Sequence, residues 1–176
     1  VSGKFKDKIS LISIGRLEKQ KNPFDLILIS KLCNIPLTII GEGYLKPYLI
    51  DYINLLKAPV KILGRIKNND LPKILNNHSI YISTSLYEGS PKTVLEAMSC
   101  ALITIAYSAP GIDEIISNNE NGFVVRPSPY IMNNVIDSLL NNDKKVDTIR
   151  HNSRRFVVEN YSFNKIMKIQ NNLYFK

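Results

Sequence analysis

The 176-residue sequence is short of the features that most readily betray a function. No apolar run approaches the ~20 residues that a membrane span needs. The start, "VSGKFKDK", has no apolar stretch of the kind that makes a signal peptide, so residues 1–8 read as a linker or chain boundary ahead of a domain over 9–176. Only two cysteines occur, Cys33 and Cys100. They form no CxxC and each sits among helical apolar residues, so buried free thiols in a reducing cytosol are expected. The two histidines, His78 and His151, have no metal-ligand spacing around them. His78 is expected in a loop and His151 on a polar helix face. There is no internal repeat, no low-complexity block and no run of five like charges. What remains is 44% hydrophobic and 22% charged, an ordinary globular composition long enough for one well-buried domain. The net charge of +8 attracts nucleic acid, anionic lipid or phosphorylated small molecules. Spread as the lysines are, a solvated basic surface is the plainest reading.

Short β-branched runs alternate with helical stretches. Strands are expected at "ISLISI" (9–14), "PLTII" (36–40), "VKIL" (60–63), "IYIS" (80–83), "LITIA" (102–106) and "GFVV" (122–125). The continuous apolar-rich character of "ISLISI", ending at Gly15, suits a strand buried on both faces. Between the strands lie helical patterns. Asn22-Pro23 opens one, as N-cap and first helical residue. "LKPYLIDYINLLK" (45–57) has apolar residues close to the helical period, and "NDLPKILNN" and "GIDEII" read as short helices. After Pro129 three helices are expected in succession, the last opening at Ser162. Strands alternating with helices give an α/β fold: a Rossmann-like, doubly wound, parallel six-stranded sheet with helices on both faces and extra C-terminal helices. Ligands of such sheets bind outside the carboxyl ends of the strands.

Four strand-end loops carry the glycines and charges: Gly15-Arg16, Gly41-Glu42-Gly43, Gly64-Arg65 and Tyr87-Glu88-Gly89. The last belongs to "STSLYEGSPKTVLEAMSC" (83–100). Ser90-Pro91 reads as a helix start, with Ser as cap and Pro where no N–H is needed. The next backbone donors, of Lys92 and Thr93, would point out of a helix N-terminus that carries partial positive charge and suits a phosphate. Glu96 lies four residues after Lys92 and three after Thr93, on the same face. It is placed to accept hydrogen bonds from a vicinal diol such as a ribose, while Glu88, before the turn, is placed for hydroxyls beyond the anion. From Pro91 to Glu96 the helix rises about 7.5 Å. The two carboxylates then stand on the order of 10 Å apart, too far for a retaining-glycosidase pair at roughly 5–5.5 Å, so two binding roles fit better. An ordinary Lys92–Glu96 salt bridge remains the competing reading of this stretch.

In "GRLEKQKN", Arg16 and Lys21 follow Gly15 at the exit of the first strand. Arg clamps phosphate oxygens bidentately and Lys adds a point charge. Both face the Pro91 helix start if strands 1 and 4 are neighbours. Two solvated cations are the alternative. A Walker loop is absent, and "GEGYLK" keeps only the first half of GxGxxG.

Taken together, "ISIGRLEKQKN", "LTIIGEG", "VKILGRI", "STSLYEGSPKTVLEAMSCA" and "NGFVVRP" resemble, in order, the C-terminal half of the group 1 glycosyltransferases. These are the retaining nucleotide-sugar enzymes of glycosyltransferase family 4, with the GT-B fold. The E-x7-E spacing of Glu88 and Glu96, followed by Ala-Met, is the most specific element. The resemblance implies catalytic roles for Arg16, Lys21 and Glu88: the cations bind the donor diphosphate and stabilise charge as the sugar leaves, and Glu88 contacts donor-sugar hydroxyls. It implies donor binding by Gly15, Ile66, Gly89, Ser90, Lys92, Thr93 and Glu96, with Ile66 bordering the nucleobase and Glu96 holding the ribose. Ala101 departs from the family, which usually has Gly there, so the helix end is expected to close differently.

The implied partners are a nucleotide diphosphate sugar and the N-terminal acceptor domain of a full-length enzyme. That domain is missing from this chain, which is expected to transfer nothing by itself. No cofactor or metal is expected, since the sequence has no DxD triplet or His/Asp cluster and the cations and helix start balance diphosphate charge. A cytoplasmic location, with peripheral association at the inner membrane face in cell-surface polysaccharide or glycolipid synthesis, goes with that reading. Two rivals stand beside it: a nucleotide-sugar epimerase of GT-B architecture, for which no placed base is visible, and a non-catalytic basic binding module. Against nucleic acid, the aromatics show no stacking pattern; a local patch of Arg150, His151, Arg154 and Arg155 is what the module reading would use.

Overall fold

The computed structural model describes residues 9–140, 142–162, 165 and 167. The expected linker at 1–8, and nearly all of the helix expected over 162–176, lie outside them. The strands are β1 (Leu11–Ile14), β2 (Leu37–Ile40), β3 (Val60–Ile62), β4 (Ile80–Ser83), β5 (Ile103–Tyr107) and β6 (Phe123–Val125). All pair in parallel, in the order β3-β2-β1-β4-β5-β6. The doubly wound six-stranded sheet expected from the sequence is therefore present, with β1 and β4 adjacent.

The helices are α1 (Pro23–Cys33), α2 (Lys46–Leu56), α3 (Leu71–Leu75), α4 (Lys92–Ser99), α5 (Pro129–Leu139) and α6 (Asp143–Tyr161). Strand side chains alternate between two cores, as a period of two demands. Leu11, Leu37, Ile39, Ile80, Ile82, Ile103 and Ile105 face one core, with Leu26 and Ile27 of α1, Leu49 of α2 and Met132 and Ile136 of α5. Ile12, Ile40, Tyr81 and Ala106 face the other, with Leu75 of α3 and Val94, Ala97 and Met98 of α4. Burying each aliphatic side chain of this size contributes about 1.5–3 kcal/mol. Burial on both faces is why the central strands read as mostly apolar runs, while the edge strand β3 keeps Lys61 exposed. Helix α6 contributes Val146 and Ile149 to the first core and Val157 to the second.

Several local expectations need correction. "GIDEII" forms consecutive turns over 110–115, not a helix. Asn121 draws its polar groups away: Oδ1 accepts from the Ser117 N–H at 2.8 Å and Nδ2 donates to the Ile115 carbonyl at 3.1 Å. Ser90 does not cap α4. The helix begins at Lys92, Pro91 occupies the cap position and no side-chain cap bond forms there. Both cysteines are half-buried rather than enclosed. His78 keeps its loop position, and its imidazole is held between the Ile74 carbonyl (2.8 Å) and Thr38 Oγ1 (2.9 Å). Ser162 is the residue that ends α6. Among the described residues no helix is long and apolar enough to cross a membrane.

The end of α4 closes as helices with a C-terminal glycine do, although Ala101 stands there. Ala101 takes φ 57°, in the left-handed region. Its N–H donates to the Met98 carbonyl at 3.0 Å, and the Leu102 N–H to the Ala97 carbonyl at 3.1 Å. This is the Schellman pattern. Arg150 Nε and Arg154 Nη1 of α6 donate to the Ala101 and Ser99 carbonyls at 2.9 and 3.1 Å. Two cations of the basic patch thus occupy the negative end of α4. An alanine held at this φ is strained where glycine is not. Ala101→Gly is expected to raise unfolding stability by about 1 kcal/mol, read by denaturant titration. A loss of stability would contradict the account of this helix end.

Candidate functional site

A parallel sheet puts every strand's carboxyl end on one rim, and the loops leaving it here are tied to one another. The Gly15 N–H donates to the Ile40 carbonyl (3.0 Å), Leu17 N–H to Glu42 (2.9 Å) and Gly41 N–H to Gly64 (2.8 Å). Gly41, at φ 151°, lies against the Gly15 carbonyl where a Cβ would collide. The loops after β1, β2 and β3 therefore form one continuous wall.

Between that wall and the start of α4 lies a cleft of about 360 Å³. It is lined by Gly15, Arg16, Ile66, Lys92, Thr93 and Glu96, all singled out in the sequence. It is also lined by Glu42, Arg65 and Asn68, which were not assigned a role there. Lys21 lies one step aside. Its aliphatic stem runs past Gly15, with Cδ 3.5 Å from where a Cβ would be. It lines a narrow adjoining cleft that shares Ile14 and Gly15 with the larger one. Lys21 Nζ pairs with Glu88 Oε1 at 2.5 Å, and Glu88 is buried. Eight of the ten residues fall into two groups: Gly15, Arg16, Ile66, Lys92, Thr93 and Glu96 at the open cleft, and Lys21 with Glu88 beside it. Gly89 and Ser90 are exposed and line neither.

Charge partners refine this picture. The Arg16 side chain is 66% exposed and pairs with Glu18 at 3.1 Å. Burial pushes the Glu96 carboxyl above the usual glutamate range, and the nearby Lys92 ammonium opposes that shift. Thr93 is oriented from below. Tyr81 Oη, on β4, donates to Thr93 Oγ1 at 2.8 Å. Burial drives the Tyr81 phenol far above its ordinary range, so it stays a neutral donor. The sequence shows Tyr81 only as a strand residue; the depth at which its hydroxyl meets α4 has no local signature. Of the two amides expected free at the helix start, the Lys92 N–H is spent on the Ser90 carbonyl at 2.9 Å. Thr93 N–H is the first without an acceptor among the described residues. The helix start therefore presents a narrower anion site than the sequence suggests.

Glu88 is held from behind by the loop after β5, which the sequence reading did not assign. Its N–H donates to the Pro110 carbonyl at 3.3 Å. Gly111, at φ 83°, lies so close to the Glu88 carbonyl that a Cβ would collide with it.

Comparison with known proteins follows the same lines. The family model described as Glycosyl transferases group 1 matches residues 1–156. A Methanocaldococcus jannaschii glycosyltransferase, MJ1607, is 30% identical over 175 residues, covering 96% of this chain and 45% of its own length. The Escherichia coli UDP-Gal:alpha-D-GlcNAc-diphosphoundecaprenol alpha-1,3-galactosyltransferase is 28% identical over 166 residues, covering 86% of this chain and 41% of its own. The chain spans under half the length of these curated relatives. S. aureus TarM, in a crystal structure that includes UDP, superposes with TM-score 0.85 at 25% identity, over 94% of this chain and 35% of TarM. The C-terminal domain of LpcC from Francisella tularensis superposes with TM-score 0.79 at 24% identity, over 93% of this chain and 95% of that domain. The fold is that of GT-B C-terminal domains.

Gly111→Ala is expected to lower unfolding stability by about 1–2 kcal/mol, from the positive φ alone, and to displace Glu88. The checks are thermal unfolding and the shift of the Glu88 amide resonance. An unmoved resonance at full stability would disprove the close contact.

Proposed function

The chain belongs to the group 1 glycosyltransferases, and from that premise we propose that it is the donor-binding half of a retaining enzyme that transfers a sugar from a nucleotide diphosphate sugar. The observation that carries the proposal is the cleft at the strand carboxyl ends, where Arg16, Thr93 and Glu96 converge with Lys21 and Glu88 alongside. Each part of the donor has a chemical counterpart there. The diphosphate meets Arg16, Lys21 and the Thr93 amide at the start of α4. The ribose diol meets the Glu96 carboxylate. The sugar hydroxyls lie towards Glu88, with Gly89 and Ser90 on the adjoining loop, and the base lies beside Ile66. UDP is the favoured nucleotide, because the TarM structure includes it.

Chemistry follows from charge. As the glycosidic bond to the leaving phosphate lengthens, negative charge grows on the diphosphate. Fixed cations and an amide aimed there lower the barrier, because they are already oriented when the charge appears. No metal is invoked; Lys92 at the cleft adds a further positive charge. Glu88 holds Lys21 in place through their ion pair and presents its carboxylate to the sugar side.

The remaining parts of the proposal concern the whole enzyme. An N-terminal acceptor domain completes the active cleft, so this chain binds nucleotide and transfers no sugar unaided. The enzyme acts in the cytoplasm, peripherally at the inner membrane face, in polysaccharide or glycolipid synthesis. The E. coli relative, a galactosyltransferase named for a diphosphoundecaprenol acceptor, supports that setting.

In the full-length enzyme, Arg16→Ala or Lys21→Ala is expected to lower kcat by roughly 10²–10³-fold. Wild-type turnover in both would remove them from the mechanism. A second expectation concerns pH. The Glu96 pKa is raised, so protonation begins at a higher pH than for an ordinary glutamate near 4.5. The ionised form accepts the ribose hydrogen bonds. Nucleotide affinity is therefore full well above the raised value and falls as pH drops through it. Glu96→Gln should flatten that dependence, as followed by calorimetry from neutral pH to about pH 5. An unchanged profile in the variant would assign the titration to another group.

A further inference from the structure

Lys21 stands at the end of a short 3-10 turn over Lys19–Lys21, and the residue after it, Asn22, has φ 46° and ψ 55°. That left-handed conformation is costly for most residues with a Cβ, of order 1–2 kcal/mol, and is tolerated by asparagine when its short amide side chain is held by a local hydrogen bond. It also sets the direction of the chain between Lys21 and the first turn of α1. Asn22 makes no cap bond to the helix backbone. Its side chain does something else: Nδ2 donates to Asp25 Oδ2 at 2.8 Å. The same oxygen accepts from Tyr107 Oη, on β5, at 2.9 Å. Tyr107 is fully buried, and its hydroxyl reaches through the core to this one carboxylate. Asp25 has no cationic partner among the described residues. It is a carboxylate in the site's support that no step of the proposed chemistry uses.

From the other side, Thr84 Oγ1 lies 2.9 Å from both the Lys21 and Asn22 carbonyls and shares its one proton between them. The Leu86 N–H donates to the Gln20 carbonyl at 2.9 Å, and Gln20 Nε2 to the Tyr87 carbonyl at 2.9 Å. The β1 and β4 exit loops are thus fixed to each other on either side of the Lys21–Glu88 pair. Of the residues in these two loops, only Asn22 has a left-handed backbone.

We propose that Asp25 is a positioning residue. Anchored by Tyr107, it holds Asn22 in the left-handed turn that keeps Lys21 beside Glu88 and aimed at the donor diphosphate. The inference rests on the diphosphate role given to Lys21 above. Asp25 touches no substrate in this scheme and acts only through backbone direction.

Because both donors converge on a single oxygen, charge and geometry are separable. An asparagine at 25 offers one carbonyl oxygen with two lone pairs, enough for both bonds without the charge. Glycine at 22 takes the left-handed turn at no steric cost and removes the need for the anchor. The experiment is calorimetric titration of this chain with UDP and, separately, with uridine, which lacks the diphosphate. Thermal unfolding is followed in parallel. Asp25→Ala is expected to weaken UDP about tenfold, the scale of one held backbone turn of 1.4 kcal/mol, and to leave uridine unchanged. Asp25→Asn keeps UDP affinity, and Asn22→Gly added to Asp25→Ala restores it. If Asp25→Ala fails to fold, Tyr107→Phe carries the test, with an expected loss of about threefold that Asn22→Gly again restores.

The inference is overturned if UDP affinity is unmoved by Asp25→Ala, or by Tyr107→Phe where that variant stands in. Equal weakening of UDP and uridine also overturns it, as does failure of Asn22→Gly to rescue. Lys21→Ala separates the two levels. If it leaves UDP affinity intact, the diphosphate role of Lys21 is wrong and the inference falls with it. If it weakens UDP while Asp25→Ala does not, only the inference is wrong.

Discussion

Six strands running the same way force their carboxyl ends onto one rim, and that constraint decides where every polar group of interest can be. Both faces of the sheet are covered by helices, so the rim is the part of the sheet left open. The crossover order places β1 and β4 side by side at the point where the winding reverses. The exits of those two strands diverge, leaving a gap. Into that gap the first loop sends Arg16 and Lys21, and the second sends Glu88 and the start of α4. A slip of either strand by one residue would exchange core and solvent faces along its length. Packing on both faces therefore fixes the site's geometry more firmly than any contact within it.

Within that frame, the site is balanced by its own charges. Arg16 rests on Glu18 and Lys21 on Glu88, while Lys92 lies close enough to Glu96 to offset part of its desolvation. A cluster of cations this close would repel itself if left bare. Interleaved carboxylates offset that repulsion, and on the proposed function they give a diphosphate something to compete with. Binding on that reading is an exchange of partners rather than the filling of an empty positive hole. That exchange is least costly where the pair is wet and most costly where it is buried.

The sequence carries the sheet well, because the strand runs are mostly apolar and the first three end at Gly15, Gly41 and Gly64. It also carries the grouping of Arg16, Thr93 and Glu96, since a strand exit and a helix face are local patterns. What it hides is set by contacts distant along the chain. Tyr81 looks like strand filler and Tyr107 falls just past the expected strand, and only depth reveals that their hydroxyls reach Thr93 and Asp25. Ser90-Pro91 has the composition of a cap, yet Lys92 N–H turns back to the Ser90 carbonyl and the helix starts one residue later. "GIDEII" has a helical period too short to nucleate, and Asn121 offers its ends better partners. At Ala101 the expected change in closure does not occur, because two hydrogen bonds and two arginines hold a left-handed alanine in a glycine's place.

The two cations that the sequence treats as a pair are not physically equivalent. Arg16 is largely in water, and its contact with Glu18, two residues on, is the exposed kind that contributes little and yields readily. It is free to swing onto an anion that arrives in the open cleft, and a guanidinium is the better clamp for one. Lys21 has only 19% of its side chain exposed, and Glu88 only 9%. Separating that pair would leave a buried carboxylate uncompensated, which is far more costly than exposing the lysine. In the proposed role, Lys21 serves a diphosphate best without leaving Glu88, as a bridge whose three ammonium protons are shared between carboxylate and phosphate. A bridge works only if it is already in position, whereas a clamp can search. On the proposed roles, this difference accounts for a turn at Asn22 bonded through Asp25 to Tyr107 in the sheet, while Arg16 is exposed and pairs only with its neighbour Glu18.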